Sequence, residues 1–158
     1  MNVLRTFYTF SYKYYCTFAP SKLVSYLKEK SNLNLQVAED LVKQSIYAPS
    51  VHCSYFGCLQ FLKHTLGVYR GDSFDKIEKE CKDYGGGTHG WIIDSCLAEY
   101  RKLVDFKSHK DLKRELKDLQ VFRISSDYFN VEIGDEEGEK SLKYSQNIIR
   151  EIGKVLKK

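Results

Sequence analysis

Proline and long apolar runs are both scarce in this chain. It holds two prolines in 158 residues, Pro20 and Pro49, so helices can run without the break that an internal proline imposes. No window approaches the roughly eighteen apolar residues that a membrane span needs. Polar Thr6, Ser11 and Lys13 interrupt the N-terminal aromatic residues where a signal peptide needs an unbroken apolar stretch. These absences predict a protein without a membrane segment that works in the cytoplasm.

The chain also lacks the common disulfide, metal and phosphate-loop motifs. Its cysteine number is odd and no Cys-x-x-Cys pair occurs, which is typical of reduced thiols in a cytosolic protein. The cysteines are Cys16, Cys53, Cys58, Cys81 and Cys96. No Cys/His group has zinc spacing, and Gly85–Gly87 lead into Thr88-His89-Gly90 instead of the Gly-Lys-Ser/Thr of a phosphate-binding loop. The sequence therefore predicts neither a bound metal nor a cofactor.

Apolar residues at three- and four-residue steps, the period of an amphipathic helix, dominate the rest of the sequence. One such stripe is formed by Val51, Tyr55, Cys58, Leu59, Leu62 and Leu66, and another by Leu142, Ser145, Ile149, Ile152 and Leu156. Gly57 interrupts the first stripe at a cost of about 1 kcal/mol relative to alanine, which indicates close approach of another helix. The pattern predicts an all-α fold, an up-and-down antiparallel bundle of four to five helices.

Turn and capping residues give the predicted helix boundaries. Ser31-Asn32 predicts the end of the first helical segment. Ala48-Pro49-Ser50 predicts the end of the second, because proline disfavours helix at the preceding residue. Thr88 and Ser108 are the predicted N-caps of two later helices. The predicted helical segments cover residues 22–30, 34–47, 50–66, 74–84, 89–104, 109–128 and 139–156.

Two parts of the chain differ in composition. Residues 1–20 form an aromatic N-terminal extension, and residues 21–158 form the predicted bundle domain. The extension is rich in Tyr, Phe and Thr, which favour strands. It could form a short strand, a helix that docks on the bundle, or part of a dimer contact, and the sequence leaves these alternatives open.

Three stretches, taken in order, resemble the HEPN family. Ser-Tyr-Phe-Gly at 54–57 and Lys-His-Thr-Leu at 63–66 are similar to the family's second core helix. The segment 119–128 resembles the Arg-x-x-x-Asp-Tyr ending of one branch, with Arg123, Asp127 and Tyr128. The final helix places Ser141, Leu142, Ser145, Ile148 and Ile149 where the family has alanine and apolar residues. The resemblance covers roughly 34–157 with a gap around 68–88, and it implies a HEPN-like bundle.

The resemblance also implies a candidate active site. Ribonuclease members of the family carry an arginine followed four to six residues later by a histidine, which supply a cation for the phosphate and a proton-transfer group. Arg123 matches the arginine, but Tyr128 stands where the histidine would be, and no histidine follows His109. Tyrosine has a reference pKa of about 10 and is a poor base at pH 7. The candidate catalytic residues are therefore Arg123, Asp127 and Tyr128, with weak or lost ribonuclease activity.

Arg123 and Asp127 also have a purely structural interpretation. They lie four residues apart on a predicted helix and are expected to form an ion pair. Upstream on the same helix, basic residues at three- and four-residue steps form a candidate RNA-facing stripe. The stripe consists of Lys110, Lys113, Arg114 and Lys117. Acidic residues lie between them, which is equally typical of a solvated helix face.

The other histidines give weaker signals. His52 and His64 share a predicted helix but lie twelve residues apart, so they predict no common site. His109 is too far from Arg123 along one helix to replace the missing histidine. His89 follows the triple glycine near a predicted helix start, where it could act in a mobile loop.

Two functions fit these observations. The first is an RNA-directed HEPN-like protein of a toxin–antitoxin or phage-defence system, with Arg123 lining a basic cleft at the interface of a homodimer. The net charge of +4 permits an RNA partner. The second is a non-catalytic module that pairs with a nucleotidyltransferase, an antitoxin or another protein. The missing histidine favours the second function, and the retained Arg123 favours the first.

Overall fold

The computed structural model describes the backbone of residues 23–157 and the side chains of residues 26–157. Within these bounds the chain forms six helices. They are α1 (Leu23–Lys43), α2 (Tyr47–Arg70), α3 (Phe74–Asp83), α4 (Gly87–Arg101), α5 (Phe106–Tyr128) and α6 (Asp135–Val155). The predicted all-α bundle is confirmed, with six helices in place of four to five. The predicted extension 1–20 lies outside the described residues. No described helix is long and apolar enough to cross a membrane.

Helix α2 forms the centre of the bundle, and α1, α4, α5 and α6 all pack against it. Its predicted apolar stripe is buried along its whole length, as expected for a helix surrounded by others. Leu62 and Leu66, in the second half of α2, have no exposed surface. The core extends to the facing helices through Cys96, Leu116, Leu119, Ile148 and Ile152.

The predicted break at Ser31-Asn32 is wrong, because α1 continues through it. Ser31 is fully buried against α2, and its Oγ donates a hydrogen bond of 2.7 Å to the carbonyl oxygen of Gly57. Nearby, Nδ2 of Asn34 donates to Oε1 of Gln60 over 3.0 Å. These contacts with α2 satisfy polar side chains that would otherwise compete with the helix backbone. The close approach predicted at Gly57 is confirmed.

Helix α2 also begins earlier than predicted. Pro49 lies in its first turn, where the missing N–H has no intrahelical partner to lose. The preceding helix ends at Lys43, and Ser45 adopts a positive φ of 59° in the short link. At the far end α2 continues to Arg70, where Gly71 takes the left-handed conformation that closes many helices.

Both predicted N-caps are wrong by two or three residues. Helix α4 starts at Gly87 with Gly86 in the cap position, so Thr88 already lies inside the first turn. Helix α5 is capped by Asp105, whose carboxylate accepts from the backbone N–H of Ser108 over 3.0 Å. The Ser108 hydroxyl donates to the same carboxylate over 2.6 Å. An aspartate at the cap can hold both groups, which explains why the helix begins before Ser108.

Gly57→Ala is expected to destabilise the protein by about 1–2 kcal/mol. An added Cβ would lie 3.0 Å from Cγ of Leu35 and 3.2 Å from the carbonyl oxygen of Ser31, so α1 would have to move away. That cost outweighs the better helix propensity of alanine. Urea unfolding followed by circular dichroism measures the change. Gly85→Ala, where no atom lies within 4 Å of the new Cβ, is the matched control. A Gly57→Ala protein as stable as the wild type would contradict the close packing of α1 on α2.

Candidate functional site

Three helices bring polar and aromatic side chains together at one end of the bundle. The first half of α2 carries His52, Tyr55 and Phe56, which share one face because they are three and four residues apart. The first turn of α4 carries His89, and the last turns of α5 carry Arg123 and Asp127. We call these six residues the histidine–arginine cluster: His52, Tyr55, Phe56, His89, Arg123 and Asp127.

The Phe56 ring lies at the centre of this cluster. The His52 ring centroid is 4.6 Å from the Phe56 centroid, and the His89 centroid is 5.5 Å away with the two rings nearly perpendicular. The guanidinium carbon of Arg123 lies 5.5 Å from the same centroid. Two imidazoles and one guanidinium, each from a different helix, therefore surround a single aromatic ring.

Arg123 and Asp127 form the ion pair that their spacing predicts. Nε of Arg123 lies 2.8 Å from Oδ2 of Asp127, and both side chains are largely buried, at 15% and 16% exposed. The N–H of Nε is not directed at an acceptor, so the contact is electrostatic and not an aligned hydrogen bond. Nη2 of Arg123 donates to the hydroxyl of Tyr128 over 3.1 Å, and the guanidinium lies 4.9 Å from that ring.

Asp127 also contacts a histidine on another helix. Nδ1 of His52 lies 3.1 Å from each carboxylate oxygen of Asp127. A carboxylate at one ring nitrogen holds an imidazole in a defined orientation and leaves the other nitrogen for a ligand. The His52 side chain is 48% exposed, so the ring is accessible to solvent while Nδ1 contacts Asp127.

His89 is held by Tyr55 in a less polar environment. The Tyr55 hydroxyl and Nδ1 of His89 are 3.2 Å apart. Burial lowers the pKa of His89, and the positive charge of Arg123 lowers it further. Burial raises the pKa of Tyr55 to about 12, against the opposing effect of Arg123. Near pH 7, His89 is therefore a neutral imidazole beside a protonated tyrosine and a guanidinium.

The structure brings the three predicted catalytic residues together, but it separates them from the predicted basic stripe. Lys117 lies roughly 9 Å and Lys110 roughly 20 Å along α5 from Arg123, as six and thirteen helical residues require. Lys110, Lys113, Arg114 and Lys117 are all exposed, and Arg114 pairs with Asp111 over 3.4 Å. In this structure the stripe is thus an exposed face of α5 outside the cluster.

Sequence reasoning missed the contribution of α2 and α4 to this site. It sought a histidine after Arg123 on the same helix, whereas the structure supplies His89, which precedes Arg123 by 34 residues, and His52. The available signals were the position of His89 at a helix start and the Tyr55-Phe56 step. Among the described residues, no group of three His, Cys, Asp or Glu side chains could hold a metal ion.

Comparison with known proteins gives a fold and no family. No protein-family model matches the chain, and no curated protein matches it. Among solved structures, the fold is similar to that of the protein TT1696 from Thermus thermophilus, with a TM-score of 0.59 and 22% sequence identity. The match covers 83% of this chain and 96% of that chain. At this identity the likeness establishes a shared helical fold alone.

Proposed function

We propose that this chain is an RNA-directed, HEPN-like protein that binds a phosphodiester at the histidine–arginine cluster. The observation that carries the proposal is Arg123, a guanidinium held between Asp127, Tyr128 and the Phe56 ring where three helices meet. Arginine is the side chain best suited to bind a phosphate through paired N–H donors. Its Nε faces Asp127, while Nη2 faces the exposed Tyr128.

The aromatic residues beside Arg123 support a single-stranded RNA ligand. Tyr128 and Phe129 are 68% and 61% exposed at the end of α5. Unpaired bases stack on exposed aromatic rings, whereas the bases of a duplex cannot reach them. A phosphate at Arg123 and a base on Tyr128 would be neighbouring parts of one nucleotide strand. The biological setting that accompanies this proposal is a toxin–antitoxin or phage-defence system.

Arg123→Gln is expected to weaken binding of single-stranded RNA by at least about tenfold, because a charge-assisted hydrogen bond contributes about 1.5–3 kcal/mol. Fluorescence anisotropy with an end-labelled RNA of mixed sequence, at fixed salt, measures the dissociation constant. Lys79→Gln on α3 is the control: it removes the same charge from an exposed residue outside the cluster. A wild-type chain that binds no RNA, or equal weakening by both substitutions, would contradict the proposal.

The exposed apolar end of α5 favours a second candidate function. Val121, Tyr128, Phe129 and Val131 are each more than half exposed and lie within eleven residues of one another. Apolar side chains grouped on a surface often mark a protein interface. This chain would then be a non-catalytic module that forms a homodimer or pairs with a nucleotidyltransferase or antitoxin. A wild-type chain that binds no RNA but forms a stable complex with the product of a neighbouring gene would favour this role.

A further inference from the structure

We infer that His89 and His52 form an acid–base pair that cleaves RNA at Arg123, with His89 as the base and His52 as the acid. The inference rests on the proposed RNA-directed function and deepens it by naming the groups that move protons. The sequence places no histidine after Arg123 on α5. The fold places His52 on α2 and His89 on α4, the two helices that face Arg123.

The three proposed groups lie around one aromatic ring. The two imidazoles and the Arg123 guanidinium all lie within 5.5 Å of the Phe56 ring centroid. His52 reaches the Phe56 ring from α2, His89 from α4 and Arg123 from α5. The guanidinium and both imidazoles therefore belong to the same cluster. Each histidine is also fixed through Nδ1, His52 by Asp127 and His89 by Tyr55. Two oriented imidazoles near a guanidinium can supply a base, an acid and a cation for the transesterification of RNA without a metal.

His89 has the properties of the base. It must be neutral to accept a proton, and burial together with the charge of Arg123 lowers its pKa. The groups that face it are Tyr55 and Phe56 from α2 and Arg123 from α5. Its place in the first turn of α4 further favours a neutral ring, because the helix N-terminus carries partial positive charge. In the tautomer whose Nδ1–H donates to the Tyr55 hydroxyl, Nε2 is free to take up a proton.

His52 has the properties of the acid. Asp127 faces it from α5, and Arg123 lies on the other side of that carboxylate. A protonated His52 would donate Nδ1–H to Asp127, which balances the charge of the imidazolium, and keep Nε2–H for the substrate. His52 is the more exposed of the two rings, so it can exchange protons with water after each turnover.

The reaction is a transesterification that needs no added reactant. The ribose 2′ oxygen attacks the adjacent phosphorus and its proton passes to Nε2 of His89. The bond between phosphorus and the 5′ oxygen breaks, and Nε2–H of His52 protonates that oxygen. The products are a 2′,3′-cyclic phosphate and a 5′ hydroxyl. Arg123 would contact the non-bridging oxygens, on which negative charge increases during the attack.

The test is single-turnover cleavage of an end-labelled, single-stranded RNA by the full chain in the presence of a chelator. His89→Gln and His52→Gln are each expected to slow cleavage of bound RNA by about 10²–10⁴-fold, with every rate measured at a protein concentration that saturates the RNA. His109→Gln should leave the rate unchanged, because His109 lies about 21 Å along α5 from Arg123. The product should end in a 2′,3′-cyclic phosphate, and the DNA of the same sequence should remain intact.

The pH profile tests the role of His89. Cleavage by the wild type should rise with pH below the ordinary pKa of histidine, as His89 loses its proton. His89→Gln should abolish that rise, whereas His52→Gln should lower the rate and keep the rise. Two results would overturn the acid–base pair and leave the proposed RNA binding intact. In the first, the wild type binds RNA through Arg123 but does not cut it. In the second, His89→Gln and His52→Gln cut RNA as fast as the wild type. Absence of RNA binding by the wild type would instead overturn the proposed function.

Discussion

Tyr128→His is expected to restore cleavage by at least about tenfold to a chain that carries His89→Gln. A general base contributes about 10²–10⁴-fold, and a histidine at 128 would supply one from α5 instead of α4. The Tyr128 hydroxyl is 3.1 Å from Nη2 of Arg123, so a ring at this position already lies beside the guanidinium. In the wild-type background the gain should be smaller, because His89 already provides the base.

The control for this rescue is Tyr128→Phe in the same His89→Gln chain. Phenylalanine keeps the ring but has no group that accepts a proton, so cleavage should remain low. Single-turnover rates for the two double variants, measured at equal fractions of bound RNA, give the comparison. Equal rates for histidine and phenylalanine at 128 would mean that the end of α5 does not place a base at the scissile phosphate, contrary to what the HEPN resemblance implies.

Local patterns predicted the features of this protein that depend on one helix. The apolar stripe of α2 was predictable because apolar residues recur along it at the three- and four-residue steps of a helix. The Arg123–Asp127 pair was predictable because residues four apart on a helix are neighbours whatever surrounds them. Tyr128 lies one residue further on the same turn. Each of these predictions needs only the period of the helix.

Features that depend on two helices were not predictable in this way. Ser31 looks like a helix breaker until the carbonyl of Gly57 on α2 is available as its acceptor. His52 and His89 look like isolated histidines until α5 places Asp127 and Arg123 beside them. One sequence alone does not indicate which helices pack against each other. The predicted site therefore held Arg123 and lacked the two histidine rings that lie against the same phenylalanine as its guanidinium.

Helix packing also determines which substitutions remove the site by unfolding the protein. Leu62→Ala is expected to lower the free energy of unfolding by about 2–5 kcal/mol. Leu62 is 0% exposed in the middle of α2, the helix on which α1, α4, α5 and α6 pack. The loss combines reduced apolar burial with a cavity that neighbouring helices can only partly fill. Since small domains are stable by about 5–15 kcal/mol in total, this one change is expected to remove a large share of the stability.

Val68→Ala is the matched control for Leu62→Ala, because Val68 lies on the same helix with 38% of its surface exposed. Its effect should stay within about 0.5–1 kcal/mol. Leu62 lies about 15 Å along α2 from His52, so at low temperature the folded fraction of Leu62→Ala should bind RNA with wild-type affinity and lose binding only as it unfolds. Urea denaturation and anisotropy on the same samples test both statements. A Leu62→Ala chain that is fully folded but binds RNA poorly would contradict this expectation. It would mean that Leu62 affects the geometry of the histidine–arginine cluster as well as the stability of the fold.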